Sequence, residues 1–300
     1  VNTYPQDKDF PLVCEGEHMS HSTKGNDFES TDDEIIPPET RRHLQKCRET
    51  LPERLSSERV VFGFDGFIDR GRELIDKHTE NSFETIGGLR TLGEQIIASA
   101  DIDSSHTLEW VQTYTRTGGH TVHVGRAFDT LGFDVTVIGT YGNPVKAEFE
   151  QEFDNGTIIS FAEPGITDAV EFSDHKLLIT DSGPHLELDW SVICDRVGME
   201  RLVENIDGKA MLGIGYWALI PALPSILKTI RTDLWPRLEN PPKFLLFDPA
   251  DIRQLPLGSL RQGYTVLDDL EDVVPVTMCS DRAETCRLYT YAAAAAHLIA

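Results

Sequence analysis

Several apolar stretches of the sequence are followed directly by carboxylates or glycines, residue types that small-molecule sites often use. Asp65, Gly66 and Asp69 follow the run VVFGF, where a carboxylate beside a glycine could accept hydrogen bonds from ligand hydroxyls. Gly118 and Gly119 precede a helix-like stretch, whose free N–H groups suit a hydroxyl-rich ligand or an anion. Each group has a simple structural alternative, which is a turn, a helix cap or close packing.

Four more polar residues stand at similar places further along the chain. His120 opens the helix-like stretch, and Asp248 follows the apolar run KFLLF. Asp281 and Glu284, three positions apart near the start of the last helix-like stretch, could hold water or Mg²⁺ close to phosphate oxygens. Asp248 could also start a turn and Asp281 could cap a helix, so both readings stay open at this point.

Strand-like and helix-like stretches alternate along most of the chain. Such alternation is typical of an α/β fold with a mostly parallel sheet that helices cover on both faces. In sheets of this kind ligands bind beyond the carboxyl ends of the strands, where the residues named above are expected to lie. The predicted strands are 60–64, 134–142, 156–163, 209–217 and 243–251, the predicted helices are 121–131, 145–153, 189–206 and 221–238, and a last strand and helix fall within 273–300.

Two segments depart from this alternation. Residues 1–36 are polar, carry the acidic run ESTDDE and show no apolar period, so we expect a disordered acidic extension before a domain at 37–300. The segment of about 70–117 contains one candidate helix and one β-like piece, and it is long for a simple crossover. It suits an inserted cover, to which a predicted hairpin at 168–181 could add.

The charge balance is strongly acidic. Fifty acidic and 27 basic residues give a net charge of −23, which repels phosphate backbones and anionic lipid, so nucleic acid is a poor partner. A salt-rich cytosol would screen the self-repulsion of such a surface. The composition therefore favours a halophilic protein, although an ordinary acidic enzyme has the same signature.

The remaining composition indicates a cytoplasmic protein. Five cysteines are scattered and odd in number, which argues against a disulfide framework and fits a reducing compartment. The sequence has no apolar run of the roughly 18 to 20 residues that a membrane span needs. The first residues also lack the basic and apolar regions of a secretory signal.

In their order and spacing, four motifs resemble those of the ribokinase-like carbohydrate kinases, also called the phosphofructokinase B family. The resemblance runs from about Val60 to Leu288, through DGFID, GGHTVHVGRAFDTLGFDVTVIGTYG, FDPADIR and DRAE. EPGITDAVEF and GIGYWALIPALP are similar, more narrowly, to an uncharacterised archaeal and bacterial branch that includes halophilic archaea. The resemblance implies a three-layer α/β/α fold, with a mostly parallel sheet and a lid at about 70–117 and 168–181.

Members of this family transfer a phosphoryl group from ATP, or ADP in some branches, to an alcohol of a sugar or nucleoside, with Mg²⁺. The resemblance implies that Glu284 helps to organise the metal, and that Asp281 stands where the family has Asn. His120 likewise replaces the usual Asn, which affects the expected substrate. The implied substrate-binding residues are Asp65, Gly66, Asp69, Gly118, Gly119 and His120, and the implied cofactor-binding residues are Asp248, Asp281 and Glu284.

The sequence does not contain the Gly-Ala-Gly-Asp-like turn that carries the family's catalytic base. We therefore expect either an incomplete record of a longer kinase, or a shortened protein that binds a sugar or metabolite without phosphorylating it. On either reading, the 300 residues alone are expected to be inactive and the catalytic residue is unknown. The lid could also form a homodimer interface.

Overall fold

A computed structural model describes residues 42, 58–153 and 156–280. The predicted acidic extension, the carboxylates Asp281 and Glu284, and the helix predicted after them lie outside the described residues. The described residues from 58 onward belong to one compact unit, Glu53–Ala300.

The described strands form two separate sheets. The strands are β1 (Arg59–Gly63), β2 (Phe67–His78), β3 (Phe83–Thr85), β4 (Glu109–Gly118), β5 (Asp134–Gly139), β6 (Thr157–Ser160), β7 (Gly165–Glu171), β8 (Lys176–Asp181), β9 (Met211–Gly215), β10 (Phe244–Asp248) and β11 (Val276–Met278). The central sheet has the order β11-β10-β9-β1-β5-β6. The small sheet has β2 in its middle, paired with β3, β4 and β7, and β8 lies on the outer side of β7.

All neighbouring strands of the central sheet are parallel. Strand β1 lies in the middle, with Val60 beside Val135 of β5 on one side and Met211 of β9 on the other. These strands are short, continuous apolar runs because both faces of the sheet are buried. A strand with one buried face would instead alternate apolar and polar residues. The order in which the strands are added to the sheet reverses at β1. Ligands of parallel sheets bind beyond the strand ends at such a reversal, so the residues that follow β1 and β9 border the expected binding position.

Helices cover both faces of the central sheet. The described helices are α1 (Leu89–Asp101), α2 (His120–Thr130), α3 (Ala147–Glu150), α4 (Trp190–Val197), α5 (Met199–Ile206), α6 (Leu223–Thr229) and α7 (Leu257–Glu271). Val122 of α2 and Phe149 of α3 pack with Phe62 on one face. The other face carries α4 to α7, with Ile193 and Leu260 among the buried residues around Val61. The predicted three-layer α/β/α fold with a mostly parallel sheet is thereby confirmed.

The small sheet stands at the edge of this core and is mainly antiparallel. Its strand β2 pairs with β4 from Phe67 to Ile75 and runs parallel to β7 over its first six residues. One face packs against α1 through a cluster of Leu74, Leu92 and Val170. The strands occupy the segments in which an inserted cover is predicted, although β2 begins at Phe67, before the predicted boundary near residue 70.

Several predicted elements differ from the observed ones. The helix predicted at 145–153 is a single turn, α3, and the one predicted at 189–206 is divided at Gly198, whose φ of 91° ends α4 before α5 begins. The helix predicted at 221–238 continues α6 as a π-helical turn, Ile230–Leu234, and a 3-10 turn, Trp235–Arg237. Helix α7 lies in a segment for which no element is predicted from the sequence. Within the described ranges no helix has the length and apolarity that crossing a bilayer requires.

The charge balance predicts that salt stabilises the fold. With a net charge of −23, self-repulsion opposes the compact state, and KCl reduces it because the screening length falls from about 8 Å at 0.15 M to about 3 Å at 1 M. We expect the melting temperature to rise by several degrees over this range, with a smaller slope above it. Differential scanning calorimetry in KCl, with an uncharged osmolyte as control, checks this, and a melting temperature independent of KCl would contradict it.

Candidate functional site

A cavity of about 940 Å³ lies between the central sheet and one face of the small sheet. Residues at the carboxyl ends of strands β9 and β10 line one wall, among them Tyr216, which follows β9, and Asp248, the last residue of β10. The facing wall comes from the small sheet, through Asp69 of β2, Arg116 of β4 and Thr167 of β7. The cavity therefore lies where the sequence predicted a site, beyond the carboxyl ends of the parallel strands.

Asp69 places a carboxylate in the cavity at the root of the small sheet. The adjacent strand leaves room for it because Gly118 has no side chain, and a Cβ atom there would lie 2.7 Å from Asp69 Oδ2. Burial raises the pKa of Asp69, while the Thr167 hydroxyl and the nearby His123 favour the ionised form. Asp69 is thus a partly desolvated acceptor, which gains from hydrogen-bond donors that a ligand brings.

A second carboxylate, Asp248, is held in the opposite wall by two hydrogen bonds. Its Oδ2 lies 2.9 Å from Nδ1 of His120, and its Oδ1 accepts from the Ala250 amide at 2.9 Å. Burial alone raises the pKa of Asp248, but the bonds from His120 and Ala250 outweigh burial and hold the pKa below its usual value. Asp248 therefore stays ionised, and about 30% of its side chain is exposed.

His120 is buried beneath this carboxylate. Its ring packs against the backbone of Gly215, where a Cβ atom would lie 2.5 Å from the ring carbon Cγ. His120 Nε2 is buried and has no hydrogen-bond partner among the described residues. The histidine thus orients Asp248, while its predicted contact with a substrate stays a prediction.

Asp65 lies close to the paired glycines but is fully buried. Its Oδ1 accepts hydrogen bonds from the backbone amide and the hydroxyl of Thr121, at the first turn of α2, the amide at 2.9 Å. A Cβ atom on Gly119, which has a φ of 98°, would collide with Asp65 Oδ2. Asp65 therefore caps the first turn of α2 and does not line the cavity. Its predicted contact with a sugar stays a prediction.

Tyr216 is a cavity residue that the sequence analysis missed. It follows β9 with a φ of 71°, a conformation that is strained for a bulky side chain, and its amide donates to the Asp248 carbonyl at 3.0 Å. Burial, and then the fields of Asp65, Asp69 and Asp248, raise the pKa of its hydroxyl. Strained residues cluster at functional sites, so this hydroxyl, in the field of three carboxylates, is a candidate ligand contact.

Replacement of Tyr216 by Phe is expected to weaken ligand binding without affecting the fold. The substitution keeps the ring contact with Phe67, at 5.4 Å between centroids, and removes only the hydroxyl. One neutral hydrogen bond contributes about 0.5 to 1.5 kcal/mol, so the dissociation constant should rise about 2- to 12-fold. Calorimetric titration measures this, with Tyr264→Phe on α7, outside the cavity, as the control, and unchanged affinity of Tyr216→Phe would exclude the contact.

Cationic groups of the small sheet complete the wall, and the sequence analysis missed these as well. The Arg116 guanidinium lies 4.3 Å from the ring centre of Tyr114, and Lys176 Nζ forms an ion pair with Glu171 at 2.7 Å. These side chains reach the cavity because β4 pairs with β2 and β8 pairs with β7, and the amino-acid composition does not reveal these pairings.

The structure brings some of the predicted site residues to the cavity and buries others. Asp69 and Asp248 line the cavity, Gly118 lies against the Asp69 carboxylate, and Asp65, Gly119 and His120 form the layer beneath it. Gly66 is buried with Asp65, and Asp281 and Glu284 lie outside the described ranges, so the predicted metal role of Glu284 stays a prediction. Among the described residues no group of three or more His, Cys, Asp or Glu side chains could hold a metal ion.

Comparisons with known proteins agree on a group of sugar kinases. Residues 36–297 match a family model described as prokaryotic ketohexokinase. A ketohexokinase from Haloferax volcanii is 42% identical over 251 residues, which are 83% of this chain and 67% of that protein.

Solved structures with a similar chain path include two kinases of low sequence identity. A ribokinase from Cryptococcus neoformans var. grubii serotype A in complex with ADP is 17% identical, with a TM-score of 0.37 over 68% of this chain and 52% of that one. A nucleoside kinase from Burkholderia thailandensis in complex with inosine is 12% identical, with a TM-score of 0.40 over 69% and 58%. The chain therefore spans somewhat more than half the length of these two proteins.

Proposed function

The chain belongs to the prokaryotic ketohexokinase family, and we propose that it binds a ketohexose for phosphorylation at one of the sugar's hydroxyls. The phosphoryl donor is ATP or ADP, which supplies the transferred group, with Mg²⁺ to neutralise its charge. Asp281 and Glu284 are the proposed contacts for the metal and nucleotide, on sequence grounds alone.

The observation that carries the proposal is the chemistry of the cavity wall. Asp69 and Asp248 offer ionised acceptors, and the hydroxyls of Tyr216, Thr167 and Thr180 can both donate and accept. A ketohexose presents hydroxyl groups in several directions, and each can donate to a carboxylate. A neutral polyol therefore suits the part of the wall formed by Asp69 and Asp248, where two carboxylates would repel an anionic group, whereas Arg116 and Lys176 lie on the small-sheet side of the cavity.

The residues of this chain would bind the sugar, orient it and exclude water. Gly118 holds the Asp69 carboxylate in place for the sugar by leaving open the space that this carboxylate occupies. The small sheet lies over the cavity as a cover, and excluding water prevents it from competing as the phosphoryl acceptor. Asp248, for which the sequence resemblance implies a cofactor role, borders the same cavity as Asp69 and could serve either ligand.

The proposal is tested by calorimetric titration of the 300-residue protein in concentrated KCl. D-fructose is the test ligand, and D-glucose, D-ribose and inosine are the comparison ligands. We expect heat from fructose at millimolar or lower concentration and weaker binding of the others. Preferential binding of inosine, or no binding of any ketohexose, would overturn the assignment.

A second measurement separates a kinase from a binding protein of the same fold. Fructose-dependent release of ADP from ATP, or of AMP from ADP, is followed with the complete gene product. Phosphoryl transfer to fructose supports the kinase. Fructose binding without nucleotide binding would instead support the non-catalytic alternative. Cytoplasmic location and a homodimer through the small sheet remain proposals that fractionation and light scattering would test.

A further inference from the structure

The small sheet is joined to the rest of the molecule by four crossings of the chain, and each contains a glycine. These crossings are the ends of strands where the polypeptide passes between the two sheets. Since glycine tolerates wide changes in backbone dihedrals, such crossings can change direction when a cover opens or closes. The four glycines are Gly66 before β2, Gly118 at the end of β4, Gly165 at the start of β7 and Gly183 after β8.

His185 binds two of these crossings at once. It is fully buried, and its Nε2 accepts from the Gly66 amide at 3.3 Å, at the entry to β2. Its Nδ1 lies 2.7 Å from the Ser182 carbonyl, just after β8. The imidazole stacks on Phe67 at 4.3 Å between centroids and 12° between planes. One side chain therefore connects the backbone at the first and the last crossing.

The hydrogen-bond pattern requires a neutral imidazole with one tautomer. The Ser182 carbonyl can only accept, so Nδ1 carries the proton, and the Gly66 amide can only donate, so Nε2 does not. Burial lowers the pKa of His185, against the opposing effects of the Ser182 bond and the Asp65 charge. Nε2 also lies 2.9 Å from the Thr140 hydroxyl, at the end of β5 in the central sheet.

We propose that His185 is a positioning residue, which fixes two crossings of the small sheet and thereby places Asp69 correctly for the sugar. The identity of the ligand in this inference rests on the proposed function, whereas the hydrogen bonds of His185 do not depend on it. Asp69 lies on β2 two residues after Phe67, on which His185 stacks, so a shift of the Gly66–Phe67 backbone moves the Asp69 carboxylate. Because the site is buried, no water can replace either hydrogen bond between His185 and the backbone. A histidine that only filled space would make no such bonds.

Two substitutions separate the two bonds. In His185→Gln the side-chain Oε1 can reach the Nε2 position and accept from Gly66, whereas in His185→Asn the amide can reach the Nδ1 position and donate to Ser182. His175→Asn, at an exposed histidine in the turn between β7 and β8, is the matched control. Fructose affinity is measured by calorimetry, and amide exchange at the four crossings is measured with and without fructose.

We expect His185→Asn to raise the fructose dissociation constant about tenfold and to accelerate exchange at Gly66 and Phe67. The melting temperature should fall by a few degrees, because the buried Gly66 amide loses its acceptor. His185→Gln should restore both readouts toward wild type, and His175→Asn should change neither. The proposal is overturned if exchange at Gly66 accelerates while fructose affinity stays at the wild-type value. Equal losses in the Asn and Gln variants would also overturn it, because a general packing role predicts that result.

The exchange data keep this proposal distinct from the proposed function. Should the wild-type protein bind no fructose, faster exchange at Gly66 and Phe67 in His185→Asn, rescued by His185→Gln, would still support the connection between the crossings. The assigned substrate would then be wrong. If fructose binds but neither variant alters exchange at the crossings, the positioning role fails and the proposed function stands.

Discussion

Replacement of Asp69 by Asn is expected to weaken fructose binding by about 10- to 100-fold while leaving the fold intact. Asp69 faces the cavity from β2 and is the carboxylate whose charge burial makes costly. A hydrogen bond to a charged acceptor contributes about 1.5 to 3 kcal/mol, and about 1.4 kcal/mol corresponds to a factor of ten. Asn keeps the shape of the side chain but removes the charge, so the loss should appear in binding and not in melting temperature.

The pH dependence gives a second, independent readout of the same residue. Because burial raises the pKa of Asp69, it takes up a proton at a higher pH than an ordinary aspartate. Fructose affinity should therefore be full at neutral pH and fall as the pH is lowered through the carboxylate range. The Asp69→Asn variant has no such proton to bind, so its weaker affinity should lack this component of the pH dependence.

Glu73→Gln provides the matched control for Asp69→Asn. Glu73 lies on the same strand, four residues further along, and side chains four apart on a strand share a face. It does not line the cavity, so removing its charge changes the field of the strand without removing a ligand contact. Equal effects of the two substitutions would mean that Asp69 acts through general electrostatics, and the proposed hydroxyl contact would be wrong.

The sequence predicted the central sheet well because its strands are buried on both faces. Runs such as VVFGF and KFLLF are continuous and apolar, which is typical of a strand buried on both faces, and they are shorter than most helices. The strands β1 and β10 were found where these runs predict them. The local sequence was sufficient here because both faces of these strands are buried, so their conformation follows from the apolar run itself and not from a contact with a residue far away in the chain.

Where long-range packing decides the conformation, the sequence was not sufficient. In α7 the buried residues Leu260, Gly263 and Leu267 follow a helical period, but two glycines reduce the intrinsic helix propensity. The Trp217 indole occupies the space where a side chain on Gly263 would stand, so tertiary packing explains the glycine. In β2, Arg72 is buried because Asp168, 96 positions away, neutralises it at 2.7 Å.

The candidate site divides in the same way. Asp69 and Asp248 could be proposed from their positions after apolar strands, since the topology brings those ends to one edge. Tyr216 could not, because neither its left-handed backbone nor the nearby carboxylates are visible in GIGYW. The burial of Asp65 was equally hidden, because it depends on the approach of Thr121 from a helix that starts 55 residues later.

Gly119→Ala is expected to destabilise the fold by about 2 to 5 kcal/mol, through two separate costs. The φ of 98° and ψ of 154° belong to a region that is essentially restricted to glycine, and occupying it costs about 1 to 3 kcal/mol for other residues. The added Cβ atom would also displace Asp65 Oδ2 and disturb the cap of α2, which adds about 1 to 2 kcal/mol. Urea denaturation at constant KCl measures the change in the free energy of unfolding.

Gly198→Ala isolates the first of these costs. Gly198, between α4 and α5, has a φ of 91° and a ψ of 136°, close to those of Gly119, but a Cβ atom there would meet nothing within 4 Å. Its substitution should therefore cost only the backbone strain, and Gly119→Ala should exceed it by the contribution of the displaced carboxylate. In an Asp65→Ala background the two glycine substitutions should become similar, since the group that Cβ displaces is gone. If Gly119→Ala and Gly198→Ala cost the same in the wild-type background, the contact between Gly119 and Asp65 does not stabilise the layer beneath the cavity.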